Sequence, residues 1–498
     1  MWKRKKNRPH FPCSIEVLHN QFKSALHDSP DLEMVTYTIG RKQVAIFYIS
    51  YQINKKELHK HILSTIVQLP SQHAHYQHLL NTIPIAGRSY EALTPIIKSL
   101  LQGHCCVYIE HDDQALTYAI SEVKQRSVDK AENESLIYGP QLSFTESLET
   151  NLNIVQWRLN TGDLEADKLM VGERIPTEVR VVYLKSLANE ENVQTVTQRI
   201  NDLVIDDVID TSVLAQLIED KSTSMFPQSL QTELPDRLCY EIKKGRIGIL
   251  LDKSPHVLIV PISIFNLLES TEDVYMRWNM GTFLRILRII ATILSILLTP
   301  AYVAALTYHY EVIPSSLLVS LGQSRSNVPF PPLIEALLLE LVIELLREAG
   351  VRLPTKVGQT MGIVGGIVLG QAAVQAGFTS NILIIIIALS ALGSFTAPNY
   401  MMGTAIRIIR FPTIIMAGLW GFIGIFAACA FFIIHLLRLS SLGRPYLEPI
   451  YPFILKDVNN NFFRLPWNKN NTRPLASQPK DSFRFSSLKA KEKKDIDE

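Results

Sequence analysis

Cysteine, an apolar leader and catalytic signatures are what this chain has least of. Its five cysteines (Cys13, Cys105, Cys106, Cys239, Cys429) are scattered over 498 residues with no C-x-x-C, so neither a disulfide framework nor a cysteine-ligated zinc site is expected. The opening MWKRKKNRPHFPCSIEVLHN carries Lys3, Arg4, Lys5 and Lys6 but no apolar run behind them. That pattern excludes a cleavable signal and assigns the N-terminal part to the cytoplasmic side. A net charge of +2 gives no electrostatic footprint for nucleic acid. No phosphate loop, dinucleotide fingerprint or nucleophile beside its base occurs, so neither an enzyme nor a cofactor is expected. His73-x-His75-x-x-His78 lacks a completing cysteine or acid and reads as a solvated loop.

What the chain does have is apolar length. Residues 284–437 contain ILRIIATILSILLTPAYVAALTY, VGQTMGIVGGIVLGQAAVQAGF, NILIIIIALSALGSF and PTIIMAGLWGFIGIFAACAFFIIHLL. Roughly 20 apolar residues cross a bilayer as a helix, and these runs approach or exceed that length. Between the first two lies PPLIEALLLELVIELLREAG, with Glu335, Glu340, Glu344 and Glu348. Each charge at a bilayer centre costs about 2.5–3.5 kcal/mol on insertion scales. At helical spacing Glu340, Glu344 and Glu348 form one stripe with Arg347 beside it, and Glu335 falls off the line. The stripe predicts a polar seam facing water, an ion path or another subunit. The competing reading is an interfacial amphipathic helix paired internally by Glu344 and Arg347.

Gly358, Gly362, Gly366 and Gly370 recur every four residues, leaving one helix face bare for close backbone approach. The spacing serves a subunit seam and ordinary intrachain packing equally. Pro300 lies inside the first run, VPFPP at 328–332 opens the acidic helix, and Pro354 and Pro398 close elements. Basic residues leave the topology open. Arg347, Arg352 and Lys356 flank one loop, and Arg407 and Arg410 another, so both favour the inside. If the acidic helix spans, the basic tail then falls outside. If it is re-entrant, the tail returns inside but Arg407 and Arg410 do not. An interfacial helix over NYMMGTAIRIIRF would reconcile them, and a cytoplasmic tail is favoured.

The soluble half repeats itself. Leu32–Ile66 and Leu164–Ile200 each read as strand, turn (Gly40 or Gly172), strand and helix. Leu101–Ser121 and Lys243–Ser263 each read as a helix end at Gly103 or Gly245, a buried strand, a polar turn and another strand. The expected fold class is an α/β N-terminal region of two related subdomains, followed by an all-α polytopic membrane domain. The expected organisation is a basic tail 1–13, subdomains 14–127 and 142–265 about a linker 128–141, and a juxtamembrane collar 266–283. A membrane domain 284–437 of about four to six helices follows, with the acidic helix at 331–349, and a polar C-terminal segment and tail 438–498. The collar's charges Glu269, Glu272, Asp273 and Arg277 stand where a small rotation would be levered into the first span.

Three ordered blocks carry a family resemblance. TELPDRLCYEIKKGRIGILLDKSPHVLIVPISIFNLLESTEDVYMR at 232–277 includes Glu233, Pro235, Asp236, Arg237, Gly245 and Arg246. PFPPLIEALLLELVIELLREAGVRLPTKVGQTMGIVGGIVLGQAAVQAGFTS spans 329–380, and SLGRPYLEP spans 441–449. Together these resemble the GerA-type spore germination proteins, in their A-subunit class. The resemblance covers nearly all the chain from about residue 140, and more loosely from residue 14. Val274 departs from it where an aromatic is usual.

What the resemblance implies is a nutrient-receptor subunit in the inner membrane of a dormant bacterial spore, its N-terminal domain in the spore core. It would work with a transporter-like B subunit and a lipoprotein C subunit, as a homo-oligomer forming an ion conduit. The alternatives are a related membrane channel that amplifies ion and dipicolinate release, a transporter, or a signalling scaffold. A transporter would want its repeats in the membrane half. A scaffold leaves the acid stripe unexplained.

Overall fold

The structure is a computed structural model that describes residues 11–12, 14–39, 42–69, 75–121, 134, 138–352, 366, 370–466 and 470–484. Gly40, His73, Pro354, Gly358 and Gly362 lie outside the described residues.

The N-terminal half contains two sheets of one design. The first comprises β1 (Leu32–Ile39), β2 (Lys42–Ile49), β3 (Gly87–Tyr90), β4 (His104–Ile109) and β5 (Ala115–Ala119), in the order β1-β2-β4-β5-β3. The second comprises β6 (Leu164–Val171), β7 (Thr177–Leu184), β8 (Leu230–Thr232), β9 (Ile247–Leu251) and β10 (Val257–Val260), in the order β6-β7-β9-β10-β8. Every pairing in both is antiparallel. The recurrent segments thus occupy the same places in both sheets. Gly103 and Gly245, each just before the third strand in space, hold φ of +79° and +91°. A Cβ at either would press on backbone carbonyls, which is why glycine stands at both.

Helices cover both faces, and the strand sequences show it. In β2, KQVAIFYI, Val44, Ile46 and Tyr48 join one core cluster, and Ala45, Phe47 and Ile49 join another. A strand buried on both sides reads as a continuous apolar run rather than an alternation. In the second sheet one face is covered by Val193, Val196, Leu214 and Ile218. The other is covered by Leu152, Val155, Leu238 and Ile242, and this core continues into Met402, Ala405, Ile406 and Ile409 of the helical half. The sheets are joined by Arg180, which donates to both carboxylate oxygens of Asp31 at 2.7 and 2.9 Å.

Four helices of fifteen residues or more lie in the described part of the helical half. They are an entry helix (Trp278–Thr307), the acidic helix (Pro332–Arg352), a short apolar helix (Asn381–Phe395) and a long helix (Tyr400–Leu437). The entry and long helices are long and apolar enough to cross a bilayer. The entry helix starts within the expected collar rather than after it, and Pro300 lies inside it. Leu333 covers Gly418, Glu340 meets Arg410 and Glu344 meets Arg407, so the acidic helix runs antiparallel to the first part of the long helix.

The long helix holds the answer to the topology. At Gly421 the backbone leaves helical geometry (φ 61°, ψ −140°). Met402–Ile409 and Phe432–Leu436 both lie against the core under the second sheet. A straight helix of 38 residues would run about 57 Å and separate those ends. The element therefore folds back on itself at Gly421, and Gly424 closes against the Met416 carbonyl. The run read as a single span from Pro412 is instead the end of one leg and the whole of the next. Arg407 and Arg410 are buried within the first leg, not laid along an interface. The chain then returns to the sheet side. Ser441 donates to the Gln228 carbonyl at 2.6 Å, Tyr446 to the Pro227 carbonyl at 2.7 Å, and Ser477 to the Lys244 carbonyl at 2.6 Å. The described C-terminal segment thus shares a side with the N-terminal sheets.

Candidate functional site

The helical half is apolar on its outside and ionic within. Glu340 Oε2 accepts from Arg410 Nη1 at 2.8 Å, and Glu340 Oε1 accepts from Thr299 at 3.1 Å. Arg410 Nη2 donates to Ser295 Oγ at 2.6 Å and to the Ser390 carbonyl at 3.1 Å. Four helices converge on this pair, and it is closed to solvent. Burying two charges costs several kcal/mol per ion, so such a pair survives only when its remaining hydrogen-bonding groups are largely met.

Two further layers flank it. Toward the sheets, Arg407 Nε stands 3.3 Å from Glu344, with Arg407 Nη2 donating to Thr404 at 2.7 Å. Arg347 lies over the rings of Phe395 and Tyr400, at 5.1 and 6.0 Å from their centres. Glu348 pairs with Arg352 in the open. Away from the sheets, Glu335 accepts from the Ser380 amide at 2.7 Å and from Thr379 at 3.0 Å, with Arg325 at 3.4 Å. Glu335 thus sits on the N-terminus of the short apolar helix, where the helix dipole favours an anion.

The expected stripe of Glu340, Glu344 and Glu348 with Arg347 is therefore divided. Glu340 and Glu344 face arginines of their own chain, and Glu348 faces outward. Glu344 takes Arg407 as its partner, where the interfacial reading paired it with Arg347. Glu335, off the stripe, is as deeply buried as Glu340. Sequence reasoning missed Arg407 and Arg410 as partners because their charge was read as a topology signal. Their spacing held the clue, since i and i+3 on one helix can match i and i+4 on an antiparallel neighbour. Of the glycine row, Gly366 and Gly370 have no described atom within 4 Å of where a Cβ would stand.

The signature residues build a second ionic centre, where the second sheet meets the entry helix. Pro235 begins the helix Pro235–Ile242 at its first position. Arg237 donates to the Asn266 and Glu269 carbonyls at 3.3 and 3.0 Å and to Glu134 at 2.7 Å. Arg246, just after Gly245, donates to Glu241 at 2.6 Å and to Asn266 Oδ1 at 2.8 Å. Lys244 lies 2.8 Å from Glu241 and 3.5 Å from Glu269. Glu269 then meets Arg285 at 3.0 Å, and fully buried Asp273 meets Arg288 at 3.0 Å. Charge alternates without a break from the second sheet, through the collar, to the first turns of the entry helix. Burial works against the Glu269 charge, but Lys244, Arg285, Arg246 and Arg237 outweigh it and hold the carboxyl at about 2. Burial likewise opposes the Lys244 charge, and Glu241 and Glu269 raise its pKa nonetheless. Asp236 pairs with Arg158 and Glu233 with His256, both at the edge of this network.

Among the described residues no group of histidine, cysteine and acid side chains is arranged to hold a metal ion.

The family model for Bacillus/Clostridium GerA spore germination proteins matches residues 20–476. Spore germination protein GerQA of Bacillus cereus is 42% identical over 463 residues, 93% of this chain and 92% of that protein. Spore germination protein GerIA of Bacillus cereus is 41% identical over 472 residues, covering 94% and 70%. The crystal structure of the N-terminal domain of the A subunit of the Bacillus megaterium spore germinant receptor GerK3 matches 51% of this chain and 98% of that one, at 22% identity and a TM-score of 0.40.

Proposed function

The chain belongs to the GerA spore germination family, and from that premise we propose that it is the A subunit of a spore germinant receptor, forming a nutrient-gated ion path across the spore inner membrane. The observation that carries the ion-path reading is a column of ionisable side chains, Glu335, Glu340–Arg410 and Glu344–Arg407, inside an otherwise apolar bundle. Charge in such a place marks ion or proton pathways by default. Every rung is paired, so the arrangement corresponds to a closed state. Opening exchanges an arginine for water or a passing cation at the acid. Glu344, only partly covered and more loosely paired than Glu340, is the rung best placed to yield first.

The partners follow from the family reading: a transporter-like B subunit, a lipoprotein C subunit and further copies of this chain. The outer face supports an assembly within lipid. Ile293, Leu294, Ile385, Leu392, Ile423 and Phe426 are exposed there, and no described atom lies within 4 Å of a Cβ placed on Gly366 or Gly370. The sheets and the returning C-terminal segment then face the spore core.

Planar-bilayer recording of the purified receptor, with its partner subunits, tests the reading. Germinant-dependent currents are expected, with cation selectivity altered by Glu344→Gln at unchanged abundance. Absence of current from a complex that still binds nutrient, or a selectivity indifferent to Glu344 and Glu340, would reduce the helical half to an anchor.

A further inference from the structure

The C-terminal segment carries an apolar surface that neither centre uses. Between Tyr446 and the helix Leu455–Phe462 the chain forms a compact loop. It is closed by the Ile450 amide on the Leu447 carbonyl at 2.8 Å and by the Ile454 amide on the Pro449 carbonyl at 2.9 Å. Its outer side presents Ile450, Tyr451, Phe453 and Leu455, and Phe453 is 69% exposed. A lone exposed apolar residue is ordinary, but a group of them marks contact with a protein or a membrane. Charge is sorted as well. The loop's acids, Glu448 and Asp457, are buried, and Lys456 is exposed. The segment is also tied to the start of the helical half. The Asn461 carbonyl accepts from Arg285 at 3.0 Å, and the Arg464 amide donates to Thr282 Oγ1 at 3.1 Å. Both partners lie in the first two turns of the entry helix. That helix exposes Trp278, Met280, Phe283 and Leu287 there, and the exposed stripe runs on into Ile290 and Leu294.

We propose that this loop rests on a lipid surface, with Phe453 and Leu455 set into the headgroup–acyl boundary of the leaflet on the sheet side. The proposal rests on the membrane reading of the helical half. Its occupant is a bilayer because the apolar surface is tied to one end of a helix long enough to span one, and that end has the same chemistry. Trp278 is exposed at the first position of the entry helix, Arg277 just before it, and Arg438 just after the long helix. Aromatic rings and cations of this kind gather where spanning helices leave the membrane. Interfacial segments bury their apolar side about 5–10 Å into the boundary and keep lysine toward the headgroups. Lys456 meets anionic headgroups there, and the inward turn of Glu448 and Asp457 removes the repulsion they would exert. The same segment holds the second sheet through Ser441 and Tyr446. The sheet is therefore fixed to the bilayer at two points, the entry helix and this loop.

The test places an environment-sensitive fluorophore on Phe453→Cys, and separately on Leu455→Cys, in the full chain held in nanodiscs of phosphatidylethanolamine and phosphatidylglycerol. Both side chains are exposed, so neither substitution disturbs a core. Ile290→Cys serves as the lipid reference, and Ile209→Cys, ahead of the helix Thr211–Ile218 on the opposite face of the second sheet, as the water reference. The unsubstituted protein, labelled in parallel, gives the background of the native cysteines. Lipid carrying a nitroxide near the top of its acyl chain is expected to quench both loop labels at least about twofold more than the Ile209→Cys label, as burial at that depth requires. Aqueous iodide should quench them less than it quenches Ile209→Cys. Loop labels open to iodide would overturn the proposal in favour of water, and loop labels shielded from both quenchers would overturn it in favour of a second copy of the chain. In either case lipid quenching at Ile290→Cys leaves the membrane reading standing. An Ile290→Cys label untouched by lipid would remove that reading and this proposal with it.

Discussion

Glu340 and Arg410 face each other at 2.8 Å across two antiparallel helices, each side chain almost wholly withdrawn from solvent. The acid is read on its own helix as part of a stripe, and its partner lies 70 residues further along the chain. This one contact converts a run of costly charges into a cross-brace. Removing either member leaves the other buried and alone, at a cost of about 3–5 kcal/mol.

Arg410→Met is therefore expected to lower protein abundance in the membrane and the unfolding temperature of the purified protein. Glu340→Gln combined with Arg410→Met should restore much of both, because no unpaired charge remains. Thermal unfolding in detergent, beside immunoblots of membranes, checks this. A double variant as unstable as Arg410→Met alone would place the instability elsewhere.

Glu335 should matter more than Glu348. Glu335→Gln takes a charge from two donors at a helix N-terminus, and hydrogen bonds to charged groups contribute roughly 1.5–3 kcal/mol each. Glu348→Gln loses one exposed pair on the surface, worth about 0–1 kcal/mol. Unfolding temperatures of the two variants, measured side by side, should fall in that order.

Gly421→Ala is expected to abolish the folded helical half. Its φ of 61° and ψ of −140° belong to a region that side chains essentially never occupy, and a Cβ would strike the His309 ring. Gly366→Leu is the contrasting case. No described atom lies within 4 Å of where its Cβ would stand, so the chain should fold normally and lose its oligomer instead. Crosslinking and size-exclusion chromatography read the second effect. An unchanged oligomer would mean that this face meets lipid or its own chain.

Two carboxyls at the junction should give opposite pH dependence. Burial, with Asp457 adding to it against the pull of Arg444, raises Glu448 to about 7. The fold therefore prefers Glu448 protonated, and this contribution is complete below the ordinary 4.5 and lost as pH rises through about 7. Glu269, held at about 2, contributes stability above 4.5 that is lost as pH falls toward 2. Glu448→Gln should flatten the decline in unfolding temperature between about pH 5 and 8 while leaving the acid limb unchanged. An unaltered decline in that variant would assign it to another group.

The N-terminal half was the more legible part. Its repeat could be read because strand, turn and helix signals are local, and a duplicated pattern writes them twice. The second strand of the first repeat, Lys42–Ile49, could be read for the same reason. The helical half was legible as apolar length and as a helix with acids in register. Its wiring was not, because the arginines sat in a segment whose charge also fits a loop at the membrane surface.

Local order and family membership were thus determined by the sequence by itself: two like α/β units, an apolar half, an acid-bearing helix and glycine at positions such as Gly103 and Gly245. Those are properties of neighbours a few residues apart, where backbone sterics and hydrophobic period act directly. Only the tertiary structure decided that Glu340 answers Arg410, that Gly421 turns the last helix back, and that Asn461 and Arg464 are tied to the first turns of the entry helix. Each of these depends on which surfaces meet after collapse. A buried charge must find a partner wherever the fold can bring one, and no spacing along the chain states where that is.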